Sequence, residues 1–196
     1  MQSKQEAILY ADSLPTDLPT NHGYVSARWY TASDLLQAEA ETLRIGDLIE
    51  HRMGGLLFQH WSIYIGKYDG KETVISFFGE SMFGWKGQIR LDNLIDLSWM
   101  CRINNGCDQF WGHYPPNQII QRAVNMMGSK DYDACNSNCE HFSNWCRYGK
   151  YTSRQAGRLR VIVCVSGMMI AVIGLVSGKP LVSGIGAIAV IFSIIR

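Results

Sequence analysis

The chain has 196 residues, room for one domain and an appendage. Its net charge of +1 excludes the basic footprint of a nucleic-acid-binding protein. Six cysteines (Cys101, Cys107, Cys135, Cys139, Cys146, Cys164) occur without a CxxC pair and without an apolar signal segment at the start, which argues for reduced thiols in a cytosol-facing domain and against disulfides or structural zinc.

Residues 1–42 are polar, and Pro15 and Pro19 interrupt any early helix. A loosely docked arm is expected there, ending in a short helix over Ala32–Ala40. The folded domain is expected over 43–157. Gly46–Glu50 reads as a short strand, followed by a loop at Arg52–Gly55. Phe58–Gly66 is aromatic and β-branched, as strands are. Tyr68-Asp69-Gly70-Lys71 is a tight-turn signal, and Thr73–Phe78 is the returning strand of a hairpin. Further strands are expected near Gly87–Leu91 and Trp99–Ile103. From Asn117 the period changes: Ile119, Ile120, Ala123, Val124 and Met127 recur at helical spacing, and Gly128 ends the run. Asn138–Arg147 reads as a second helix, with Asn136 or Ser137 as its cap. Strands first and helices later indicate an α+β domain with an antiparallel sheet.

The last segment, 158–196, begins basic and becomes apolar. Arg147, Lys150, Arg154, Arg158 and Arg160 precede two uncharged runs, 161–177 and 181–195, separated by Gly178-Lys179-Pro180. One kinked transmembrane span, a hairpin and two short spans all fit these lengths. The basic cluster places the preceding domain on the cytosolic side of a membrane and favours anionic headgroups.

A thiol becomes a good nucleophile when an imidazole or a helix N-terminus favours its thiolate. Cys139 stands where the second helix begins, and neighbouring amides there suit an oxyanion. The histidines available as base are His22, His51, His60, His113 and His141. His60 opens a strand in an aromatic setting. His141, two residues from Cys139 on the same helix, points elsewhere and reads as structural. From the residues alone, a core thiol and a core histidine are the more common reading. Trp61 and Tyr64 read as packing residues, while Trp145 and Tyr148 fit either helix packing or a lipid interface. Cys107 with His113 makes a poor zinc pair, and no metal or cofactor is expected.

Three segments carry a resemblance: Gly46-Asp47-Leu48-Ile49-Glu50, the box Gln59-His60-Trp61-Ser62-Ile63-Tyr64-Ile65-Gly66, and Asn138-Cys139-Glu140-His141-Phe142. In this order, followed by an apolar tail, they resemble the lecithin:retinol acyltransferase-like family, in its phospholipase A/acyltransferase (H-rev107-like) branch. The resemblance implies a circularly permuted papain-like fold related to NlpC/P60. It implies Cys139 as acyl-accepting nucleophile, His60 as general base, and a glycerophospholipid substrate. It also raises Gln59 as an oxyanion contributor beside Cys139.

The chain departs from that pattern at one place. A second histidine on the next strand orients the base in the family, and here Val74-Ile75-Ser76-Phe77 puts Ser76 there. Three readings follow: the site works with Ser76, another group such as His51 or Glu80 takes the role, or the chain is a non-catalytic relative. Rival functions are a cysteine amidase or isopeptidase of the same fold, a retinol-esterifying enzyme, and a protein that remodels membranes or binds partners through its tail.

Overall fold

The computed structural model describes residues 4–53, 59–79, 87–97, 99–130, 133 and 136–195. The expected features at Gly54-Gly55, Phe58, Glu80 and Cys135 lie outside them. The described chain forms α1 (Lys4–Ser13), α2 (Ala32–Ala38), β1 (Leu48–Arg52), β2 (Gln59–Tyr68), β3 (Lys71–Gly79), β4 (Gly87–Asn93), β5 (Met100–Ile103), α3 (Pro116–Asn125), α4 (Cys139–Tyr148), α5 (Arg154–Val176) and α6 (Pro180–Ile195). The strands make one antiparallel sheet in the order β4-β3-β2-β1-β5. This is the α+β architecture the element order implies. The chain divides into two compact units, Met1–Thr152 and Ser153–Arg196.

Turn chemistry sets the β2–β3 hairpin. Asp69 (φ 50°) and Gly70 (φ 72°) are both left-handed, as a two-residue turn matching the strand twist requires. Nearer the middle of β2, the register shifts between Tyr64 and Gly66. Gly66 has φ 93°, and a β-carbon there would stand 3.0 Å from Ile45 and 3.1 Å from the Tyr10 hydroxyl. That hydroxyl donates to the Ile65 carbonyl at 2.6 Å.

Tyr10 therefore fastens α1 to the sheet, and Ala7 and Ala11 are fully buried. The expected loose arm is instead packed, with α1 lying on α3. Two alanines four residues apart let the helix approach closely without a broad apolar stripe.

Alternation splits the sheet into two faces. One carries Leu48, Ile63, Ile65, Ile75, Phe77 and Ile89, packed with Ile119, Ile120 and Val124 of α3 and with Phe142 and Cys146 of α4. The other carries Ile49, Tyr64, Val74, Cys101 and Ile103 under Leu35 of α2. Each such buried large side chain contributes roughly 1.5–3 kcal/mol.

Arg147, which the sequence places at the head of the basic run, is 2% exposed. Its Nε and Nη2 donate to both Asp108 oxygens at 2.9 and 2.6 Å, and its Nη1 donates to the Gly46 carbonyl at 2.8 Å. Gly149, at φ 69°, then ends α4 as a left-handed cap.

In the second unit, α5 and α6 pack along one another. α5 is long and apolar enough to cross a membrane by length and composition. The helices meet through small residues: Gly174 lies against the Ser183 backbone, and Gly186 against the Ala171 backbone. A β-carbon at Gly167 would lie 2.9 Å from the Gly186 carbonyl. Close backbone approach through small residues is the usual contact between helices in lipid.

Candidate active site

α4 begins with a complete cap. Asn138 is extended (φ −106°, ψ −179°), and its side-chain oxygen accepts from the amides of Glu140 at 3.0 Å and His141 at 3.1 Å. His141 Nδ1 accepts from the Asn138 amide at 3.3 Å, which closes a capping box. The cap is therefore Asn138, neither Asn136 nor Ser137. Asn136 bonds Asp133 instead, and Ser137 accepts from the Tyr151 hydroxyl at 2.6 Å. His141, as expected, is structural.

Cys139 opens the first turn and is 5% exposed. Its thiol donates to the Gln59 carbonyl at 3.8 Å. Burial pushes the thiol up to about 12, against the pull of the Trp61, Glu140 and Cys139 amides. The setting follows from strand pairing. β2 and β3 are in register from Tyr68–Lys71 to Ser62–Ser76, and beyond that pair β2 continues with β1 alone. The β2 backbone released there, at Gln59 and Trp61, meets Cys139.

His60 lies between those two residues but projects into the α2 side of the sheet, with Ser62 and Tyr64. The structure thus brings Cys139 to the backbone flanking His60 and not into a hydrogen bond with its ring. His60 is 4% exposed, and its Nε2 has no hydrogen-bond partner among the described residues. Its ring centroid is 5.5 Å from His51, 5.5 Å from Phe78 and 5.6 Å from Trp99. Burial, with a smaller contribution from the Arg90 charge, lowers its pKa to about 3. Thiol and imidazole are both neutral at rest.

Ser76 is fully buried, in register with Ser62 and Arg90, and its hydroxyl has no partner among the described residues. The residue that sequence reasoning underweighted is on β1. His51 is fully buried and in register with His60, and its Nε2 is 2.7 Å from the Ser62 hydroxyl. The period-two pair His60 and Ser62 is the visible signal. Only the β1 register shows that His51 stands opposite.

Trp61 and Tyr64 are packing residues, Tyr64 bonding Glu72. Tyr148 is buried edge-on to Trp111 at 5.4 Å, and Trp145 lies under Arg122 at 3.9 Å, so both serve helix packing. Among the described residues, one trio with metal-ligand chemistry converges: His22, Asp108 and His113, with ligand atoms within 4.8 Å of one another. Arg147 already occupies both Asp108 oxygens.

Residues 41–152 match the family model described as lecithin retinol acyltransferase. The chain is 32% identical to human phospholipase A and acyltransferase 4 over 136 residues, 62% of this chain and 79% of that protein. It is 35% identical to human phospholipase A and acyltransferase 1 over 124 residues, covering 58% and 72% respectively. With human phospholipase A and acyltransferase 3 the identity is 31% over 144 residues, covering 67% and 86%.

Proposed function

Because this chain belongs to the lecithin retinol acyltransferase family, we propose that it is a membrane-anchored, thiol-dependent phospholipase A and acyltransferase acting on glycerophospholipids. Cys139 is the nucleophile and His60 the general base. The supporting observation is the position of Cys139 on the first turn of a fully capped helix, with backbone amides directed at its sulfur. The positive end of a helix dipole favours both a thiolate and a tetrahedral oxyanion.

In this mechanism the His60 ring turns toward Cys139 and takes the thiol proton. The sulfur attacks the ester carbonyl carbon, and the carbonyl electron pair becomes an oxyanion. The Cys139 amide stabilises it, with the Gln59 side chain as a second contributor. Collapse breaks the acyl C–O bond, His60-H⁺ protonates the departing lysophospholipid, and the acyl group remains as a thioester. Water then gives free fatty acid, while an amine or lysolipid gives transfer; either restores the thiol.

The same reading takes the core as a circularly permuted papain-like domain over 43–157, preceded by the 1–42 segment. The 158–196 segment serves as anchor, with the domain facing the cytosol. The apolar part of α5, 161–176, and all of α6, 180–195, are each about 24 Å long at 1.5 Å per residue. Equal lengths, with α5 and α6 packed along one another, suit a hairpin that enters the membrane and returns.

Intact-mass measurement after incubation with phosphatidylcholine vesicles tests the proposal. The expected result is one added acyl group on Cys139, absent in Cys139→Ala. Equal fatty-acid release by the two proteins overturns it.

A further inference from the structure

The α2 side of the sheet holds a buried polar group that the proposed chemistry leaves unexplained. His51 and His60 face each other across β1 and β2, with ring centroids 5.5 Å apart. Each has one buried ring nitrogen without a partner among the described residues, Nδ1 of His51 and Nε2 of His60. A hydrogen bond of about 3 Å between two imidazoles puts their centroids roughly 5 Å apart, since each nitrogen lies about 1 Å from its centroid. The rings are therefore one small rotation from pairing.

We propose that His51 is the positioning residue for His60, supplying from β1 the orienting group that the resemblance places on β3. The inference rests on the reading of His60 as base.

The Ser62 hydroxyl can donate or accept, and a base at His60 requires one of the two tautomer sets. In that set His51 Nε2–H donates to the Ser62 hydroxyl, 2.7 Å away. Its Nδ1 is then a lone pair, which accepts from His60 Nε2–H. His60 is left with a lone pair on Nδ1, the state a general base needs. When His60 takes the thiol proton, His51 accepts the hydrogen bond from the imidazolium without itself changing charge.

Ser76 cannot do this directly. Its hydroxyl bonds neither ring and stands opposite Ser62, at the far end of the chain His60, His51, Ser62. Around the pair, Arg90 enters from β4, the thiol of Cys101 faces His51 from β5, and Phe78 and Trp99 close the remaining sides. Among these groups His51 alone both contacts the His60 ring and has a free acceptor.

The test uses the full chain in mixed micelles, with two readouts. Nitrogen-15 resonances of the histidines report the His60 tautomer and its titration in wild type and in His51→Phe, which keeps a ring but no nitrogen. His51→Gln replaces it if that variant does not fold. Acylation of Cys139 is followed against pH in the same proteins and in His51→Phe/Ser76→His.

The expected result is a His60 Nε2–H tautomer lost on substitution, and acylation slowed about tenfold or more. Ser76→His should then restore most of the rate, with the lysolipid-release pH profile moving back toward wild type. A His60 tautomer and titration unchanged by loss of His51 overturn the inference. So does a slowed rate that tracks only the folded fraction and is not rescued. A wild-type protein that forms no acyl-cysteine defeats the parent reading instead, while the nitrogen resonances still decide the pairing.

Discussion

The two faces of the central sheet are both sealed from water but are built oppositely. The α4 face is almost entirely apolar and holds Cys139 at its margin. The α2 face, beyond Tyr64 and Val74, buries His51, His60, Ser62 and Ser76 beneath Phe78 and Trp99. The first is held by packing. The second carries unmet polar groups, each costing about 1–3 kcal/mol, and such an outlay is concentrated where chemistry is done. The contrast shows that Cys139 and His60 sit in separate surroundings, on opposite sides of β2.

Three substitutions or titrations sharpen that contrast. The largest effect on stability belongs to the apolar face: Phe142→Ala should cost about 3–5 kcal/mol, read by denaturant midpoint, because Phe142 is 2% exposed and packs on Phe77. A loss below 1 kcal/mol would mean this face is not the packing core.

The next effect is a pH slope from the other face. His51 and His60 have folded pKa values below the ordinary 6.5, mainly through burial. Below pH 6.5 the unfolded chain binds protons that the folded chain refuses. Stability is full above about pH 6.5 and falls as pH drops below it, by roughly 1.4 kcal/mol per pH unit for each histidine, down to about 3 in the case of His60. Thermal melts from pH 7 to 5 should show this, and His60→Gln should remove about half the slope. An unchanged slope would place the titration elsewhere.

The smallest effect is at Ser76. Its hydroxyl has no partner among the described residues, so Ser76→Ala should change stability by less than about 1 kcal/mol or raise it. A clear loss would reveal a hydrogen bond that the sheet geometry does not provide.

Much of this was legible in the chain. Asp69-Gly70 dictates its hairpin, and the Asn-Cys-Glu-His segment dictates a capped helix start. Both signals are local, so neighbouring residues suffice to read them. What stayed hidden depends on pairs distant in sequence. The packing of α1 rests on two alanines and one tyrosine hydroxyl reaching Ile65, which leaves no strong apolar pattern. The cap falls one residue later than expected because Asn136 and Ser137 are engaged by Asp133 and Tyr151. His51 is one of two substitutes for Ser76 that the chain offers, and only the β1 register sets it against His60. Where His60 points relative to Cys139 is likewise a matter of which face of β2 it occupies, and that parity emerges only in the assembled sheet.

Arg147 carries a last consequence. Among the five basic residues approaching the apolar tail, it has its charge cancelled inside the protein, by Asp108. A juxtamembrane cation is worth about 1 kcal/mol against an anionic leaflet, and that attraction is screened within a Debye length. The ionic-strength dependence of vesicle adsorption should therefore count no more than four of these five charges. Linear charge counts along this stretch overstate its pull on a bilayer, because one cation has been recruited as an internal counter-ion.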